Sequence, residues 1–226
     1  MEKVIFRLVL ILFLSLIYPA LNQYNIYLGN LFVAEVEIFS NEIDYNNTLC
    51  NNIEYVSHTK SVFQYIYPAI NKYQTIFDKK NNTIIKYSKN INQLNLNESL
   101  STFRTNDTTF YSNKQFINPK AHNIFSLLDY ISYHPIDALD KAHILDRDGE
   151  TYMASFKLID KNKGILKLKM DVQSDSSNRS NKKYDIFLWG LYLDGYDKYI
   201  WIDVNQNKII KCEFKNSLIS LYAYLL

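Results

Sequence analysis

The chain has 226 residues, 47% of them hydrophobic and 21% charged, and a formal net charge of +2. That apolar content excludes a disordered chain, and the scattered, nearly balanced charge excludes a dedicated nucleic-acid binder. With only five glycines and four prolines there is no flexible linker, so a single domain accounts for the chain after its leader.

Lys3 and Arg7 precede an uncharged run from Leu8 to Ile17, which Tyr18, Pro19 and Ala20 interrupt. Positive charge, apolar run, then a breaker with a small residue is the order of a secretory signal peptide. The uncharged stretch from residue 8 to residue 22 holds 15 residues. A membrane-spanning helix needs roughly 20. Residues 1–23 are therefore expected to form a signal helix, with an uncleaved anchor as the alternative. Residues 24–226 are expected to form one β-rich domain in the periplasm or cell envelope. The first cysteine, Cys50, is too far from the apolar run to carry a lipoprotein anchor. In an oxidising compartment Cys50 and Cys212 either pair or remain buried thiols. Five Asn-x-Ser/Thr sequences, at Asn46, Asn81, Asn97, Asn106 and Asn178, carry no weight in so Asn-rich a chain.

Strand signals then dominate. Residues 31–39 alternate Phe32, Ala34, Val36 and Ile38 against Glu35 and Glu37, which predicts a half-buried strand. Residues 73–77 and 83–87 flank a polar turn and read as a hairpin. A short helix is expected over 59–67, ending before Pro68, and a Thr- and aromatic-rich strand over 101–111. Asn123 can cap a helix over 124–133, where Ile124, Leu127, Leu128 and Ile131 fall on one face before Pro135. Further strands are expected over 152–158, 165–172, 184–193, 198–204 and 209–214, with 218–225 completing the sheet. The polar stretch 174–183 is a loop, and Asn205-Gln206-Asn207 a tight turn. The 19 tyrosines suit a pleated surface with one wet face. This pattern predicts a mainly β fold, one curved antiparallel sheet with a helix packed on it.

Motifs for catalysis are scarce. Asp146-Arg147-Asp148-Gly149-Glu150 opens like a calcium loop, but position 12 would be Lys157, so it reads as a hairpin turn. His122 and His134 bracket the expected helix about 18 Å apart, too far to share a metal ion. His143 and His58 add no ligand spacing. Asp194, Asp197 and Asp203 offer an acid pair for glycoside cleavage only if two converge within about 5 to 9.5 Å. No Gly-x-Ser-x-Gly, Ser-x-x-Lys or phosphate-cradling glycine loop occurs. No catalytic residue, metal or cofactor is assigned, and the chain is not expected to be an enzyme.

The segment Asn123-Ile124-Phe125-Ser126-Leu127-Leu128-Asp129-Tyr130-Ile131 resembles the Ser-containing helix motif of the DUF3108 family of exported bacterial proteins of unknown function. Residues 199–210, around Trp201 and Asp203, resemble that family's Trp- and Asp-containing hairpin, and 216–225 its closing strand. Asn123 stands where the family has Asp, Ser132 where it has Arg, and Ser217 near its final-strand Gly. The resemblance implies a cell-envelope β-protein and, more loosely, the half-barrel of periplasmic lipoprotein carriers. It implies no reaction.

Aromatic residues concentrate near the C-terminus. Phe187, Trp189 and Leu191 share one face of the strand expected at 184–193. If the sheet curls, they line an apolar cavity for an acyl chain or a partner segment, together with Trp201 and Tyr222. Otherwise they are core. The expected function is thus a non-catalytic envelope protein binding a lipid or another hydrophobic ligand in its concave face. A lipoprotein or another envelope protein is a candidate partner, and nucleic acid is not. The alternatives are a structural or protein-interaction module with a filled core, and a hydrolase. An outer-membrane barrel fits poorly, because lysine-rich strands such as 161–169 suit no lipid belt.

Overall fold

The computed structural model describes residues 20–80, 82–106, 108–111, 115–117, 121–174, 185–192 and 195–226. Most of the expected signal helix and most of the 174–183 loop lie outside these residues, as do the side chains of Ala20, 115–117 and Trp189. Fourteen strands follow one another: β1 (Ala20–Leu28), β2 (Leu31–Tyr45), β3 (Thr48–Thr59), β4 (Ala69–Asp78), β5 (Ile84–Gln93), β6 (Leu96–Thr105), β7 (Thr108–Phe110), β8 (Gln115–Ile117), β9 (Ala142–Arg147), β10 (Glu150–Asn162), β11 (Ile165–Ser174), β12 (Asp197–Asp203), β13 (Lys208–Lys215) and β14 (Ser220–Leu225). Among the described residues three helices interrupt them: α1 (Phe63–Ile66), α2 (Ile124–Tyr133) and α3 (Ile186–Tyr192).

All strands belong to one antiparallel sheet in the order β8-β7-β6-β5-β4-β3-β2-β1-β14-β13-β12-β11-β10-β9. Each half of the chain is a meander of neighbouring hairpins, and the first strand seats on the last, Tyr24 opposite Leu225 and Leu28 opposite Leu221. Residues 20–23, read as leader from sequence, sit in β1, with Ala20 opposite Ser40 and Gln23 opposite Glu37. Asparagine finds its use in the turns. Asn46-Asn47, Asp148-Gly149 and Lys163-Gly164 connect hairpins with both central residues at positive φ, as a type I′ turn requires. The Asp146–Glu150 motif is thus a hairpin turn, closed by the Gly149 N–H donating to Asp146 Oδ1 at 2.7 Å.

The sheet is strongly curved. α2, only ten residues long, touches β4, β9 and β13 at once. Five steps separate β4 from β13 in the sheet, about 24 Å if it were flat. Lys89 of β5 reaches across the interior to Asp148 in the β9–β10 turn at 2.7 Å, and also pairs with Glu98 of the neighbouring strand β6 at 3.1 Å. Among the described residues the edge strands β8 and β9 do not pair, so the sheet curls without closing into a barrel. Next to β9, His122 forms a parallel bridge with Leu145, occupying backbone groups that an edge strand leaves open.

α2 forms because Asn123 accepts from the Ser126 N–H at 2.9 Å while the Ser126 hydroxyl receives the Asn123 N–H, a reciprocal cap. Phe125 is the hub of the core, with ring centroids 4.6 Å from Tyr55 and 4.9 Å from Tyr73 and a parallel stack on Phe187. Asn123 also donates to Thr75 Oγ1 at 2.8 Å, pinning the helix start to β4.

Three expected elements differ. The strand expected over 101–111 folds back on itself: it is the end of β6 and the whole of β7, paired antiparallel with Thr105 opposite Thr108. The 59–67 helix shrinks to α1, because β3 continues through Thr59. The strand expected at 184–193 is instead α3. Asp185 caps it, accepting the Leu188 N–H at 2.8 Å and the buried Tyr73 hydroxyl at 2.5 Å. Interior polar partners at the helix start, including the Ile186 N–H on Gln93 Oε1, outweigh the strand propensity of the aromatic run. Asn123→Ala is expected to lower unfolding stability by about 2 kcal/mol, since it removes a cap and strands a buried hydroxyl. Urea denaturation should show a lower midpoint at unchanged slope; an unchanged midpoint would show that α2 does not depend on this anchor.

Candidate functional site

Between the curled sheet and its two inner helices lies a cavity of about 520 Å³. Alternation along β1 aims Tyr24, Ile26 and Leu28 into it, and β2 adds Val36 and Ile38. β3 contributes Ile53 and Tyr55, while β13 and β14 contribute Ile209, Phe214, Leu221 and Ala223. Helices α2 and α3 close it from the concave side with Leu128, Phe187, Gly190 and Leu191. A Cβ on Gly190 would meet only Leu221 Cδ1, at 4.0 Å, so that glycine keeps space open rather than relieving a clash.

The two ends of the cavity differ in chemistry. Strand register gathers the β1–β2 turn, the β13–β14 turn and the β3–β4 connection at one end: the Gly29 N–H donates to Ser220 O and the Lys60 N–H to Val33 O. There the lining is Leu28, Val33, Phe63, Tyr67 and Ile219. Around it Leu31, Val62, Tyr65, Ile66 and Leu218 are exposed, Tyr65 to 80% and Leu218 to 89%. Five exposed apolar side chains from three separate connections form one greasy rim. The opposite end is polar, with Asn22, Ser40, Gln206, Asn207 and Lys208 lining it.

Asp129 of α2 lines the cavity together with Ser132 and Tyr133. It is the single carboxylate among the described lining residues. Burial pushes its pKa up from 3.8 to about 6. Desolvation also pushes the Cys212 thiol up to about 12, so it stays protonated, and raises the Tyr24 and Tyr55 phenols, with the Tyr24 hydroxyl donating to Ile209 O at 2.6 Å. Cys50 and Cys212 are free thiols, on β3 and β13.

The five residues proposed from sequence for this site separate. Phe187 and Leu191 line the cavity, from a helix rather than from one strand face. The Trp189 side chain lies outside what the structure describes. Trp201 does not line the cavity. Its neighbours Ile200 and Ile202 are fully buried, so alternation turns the indole to the outer face, where Lys211 Nζ sits 4.4 Å from its ring and Lys167 Nζ 4.8 Å. Tyr222 reaches the cavity margin, but its ring stacks on Tyr224 beneath the same lysine. Sequence reasoning missed the β1 lining, because it ended the leader at residue 23 and expected no strand before residue 31, and it missed Asp129. An acid within an otherwise apolar helix was the available signal.

The other candidate sites do not assemble. Asp197 and Asp203 occupy opposite ends of β12, about 20 Å apart by strand rise. Asp197 pairs with Lys169 at 2.6 Å, and Asp203 accepts the Asn205 and Gln206 N–H groups of its turn. Asp194 lies outside the described residues. His122 and His143 approach to 6.1 Å between ring centroids, with Tyr130 against both, and burial lowers the His122 pKa to about 4. Among the described residues no three His, Cys, Asp or Glu side chains converge to hold a metal ion.

No family model matches the chain, and no curated protein does. Among solved structures the chain is similar to a crystal structure of a beta-barrel-like protein of domain of unknown function DUF1849 from Brucella abortus. The TM-score is 0.53 at 9% sequence identity, over 92% of this chain and 96% of that one. At that identity the likeness shows the fold: a mainly antiparallel, barrel-like β architecture.

The Asp129 environment has a consequence for stability. The native carboxyl holds its proton up to about pH 6, whereas the unfolded one releases it near 3.8. The native state therefore binds more protons across that window, and this group costs the wild type stability as pH rises through it. Asp129→Asn is expected to be more stable than wild type at pH 7.5, with the difference vanishing near pH 4. Parallel thermal melts at the two pH values check this; an equal difference at both would contradict it.

Proposed function

We propose that this is a non-catalytic protein of the cell envelope that binds a hydrophobic ligand, such as a lipid chain, inside its curled sheet. The observation that carries the reading is the cavity itself. Its volume falls within the range of about 300 to 1,000 Å³ typical of small-molecule sites, and its walls are predominantly apolar with a few polar groups gathered at one end. A ten-carbon chain buried there gains roughly 8 kcal/mol gross, at about 0.8 kcal/mol per methylene, before the cost of association. The exposed apolar rim formed by Leu31, Tyr65, Ile66 and Leu218 gives the chain a path in from an apolar source.

The absence of a reaction is part of the proposal. The thiol lining the cavity is held protonated, no histidine lines it among the described residues, and its one carboxylate has no acidic partner there. The charged leader and the resemblance to exported DUF3108 proteins support placement in the envelope.

Gly190 offers the sharpest test. Glycine within a helix costs about 1 kcal/mol relative to alanine. Gly190→Phe should therefore preserve the fold while filling the cavity. With the neutral dye N-phenyl-1-naphthylamine as probe, the wild type is expected to bind saturably and Gly190→Phe to lose at least about tenfold in affinity. Lipid extraction of natively purified wild type, followed by mass spectrometry, should recover a chain-bearing molecule that the variant lacks. Equal dye binding by both proteins would remove the cavity from the account.

A further inference from the structure

We propose that the polar end of the cavity reads the head of its occupant, and that Asp129 selects an amphiphile whose head donates hydrogen bonds or carries positive charge over one headed by a carboxylate. The inference rests on the apolar-ligand reading above and deepens it by naming a ligand class.

The argument begins with what surrounds the carboxyl. Asp129 projects from α2 into the cavity wall, half-buried, and among the described residues no side chain or backbone N–H donates to it. The Ser132 hydroxyl, one turn on, is committed elsewhere, donating to the Asp129 backbone carbonyl at 2.7 Å. Other buried acids of this protein are partnered: Asp185 by Tyr73 and the Leu188 N–H, Asp146 by Tyr111 and the Gly149 N–H. An ionised carboxylate is acceptor-only, and one half-buried in an apolar wall without a protein donor has only cavity solvent to satisfy it. A ligand head that supplies the missing donor recovers that cost; a carboxylate head adds like-charge repulsion to it.

The remaining titratable groups lining the cavity do not supply a competing charge beside Asp129. Tyr24 of β1, Tyr55 of β3 and Cys212 of β13 are kept neutral by burial. Lys208, at the start of β13, is the one cationic side chain among the described residues lining the polar end, on the sheet side opposite α2. The chain-binding walls lie on the other side of Asp129, toward Leu128 and Phe187. A bound amphiphile with its tail among those residues thus brings its head to the Asp129 carboxyl.

The test uses the delipidated full chain at pH 7.5 and three probes of equal chain length below their micellar concentrations: dodecylamine, dodecanol and dodecanoate, each displacing N-phenyl-1-naphthylamine. Wild type is expected to prefer the amine over dodecanoate by at least about tenfold, as one charge-assisted contact would give. Asp129→Asn is expected to bring the two within about threefold, with dodecanol weakened less than dodecylamine. Asp129→Ser, smaller and also neutral, should behave in the same way, so a folding defect in one variant does not decide the outcome. An amine preference of the same size in wild type and both variants would overturn the assignment while leaving chain binding intact. Failure of all three probes to bind wild type would overturn the cavity reading, and this inference with it.

Discussion

The ladder between the first strand and the last is the constraint on which the rest of the molecule depends. β1 and β14 lie in the middle of the sheet, each with a full meander on its far side. Without their pairing, the β1–β8 and β9–β14 halves would be two separate sheets with exposed edges and apolar faces. Joined, they form one sheet long enough to curl, and its accumulated twist brings β5 within reach of the β9–β10 turn. The β1–β14 pairing sets Tyr24 opposite Leu225, so it closes a very long loop whose entropy cost only extensive burial can offset.

Curvature turns a sheet problem into a cavity. The concave face must be covered, and α2 and α3 are the cover. Between them they seal part of the face completely: Phe125, Leu127 and Ile131 are almost fully buried against the sheet. Over the face formed by β1, β2, β13 and β14 the helices touch the sheet without filling the space beneath them, and the cavity lies over that central ladder. Two details mark the space as retained by the sequence. Gly190 withholds a side chain where one would fit, and Asp129 sets a carboxyl in an otherwise largely apolar wall.

Much of this architecture was legible from residue order. Period-two alternation located β2, strand-forming runs between polar turns located β10, β11, β12 and β13, and Asn123 with the 3.6-residue spacing behind it located α2. What failed did so for identifiable reasons. The run Phe187, Trp189, Leu191 satisfies a strand's alternation, and only the Asp185 cap, whose partners Tyr73 and Leu188 are set by the fold, turns it into a helix. Trp201 and Tyr222 attracted attention because large aromatics usually face inward. In β12 the isoleucines take the inner positions, and the rings cover the outer surface under Lys167 and Lys211. The residues that do line the cavity come from eight or more separate elements, and no local pattern reports such a convergence.

The central claim is that the space over the β1–β14 ladder is a built site for an apolar chain. A crystal structure of the protein grown with a terminally brominated long-chain alcohol tests it most directly. Anomalous bromine signal between Ile26, Tyr55 and Leu191 is the result this account predicts. A structure in which α3 has settled onto the ladder, with Phe187 and Leu191 filling the space and no bromine inside, would contradict it.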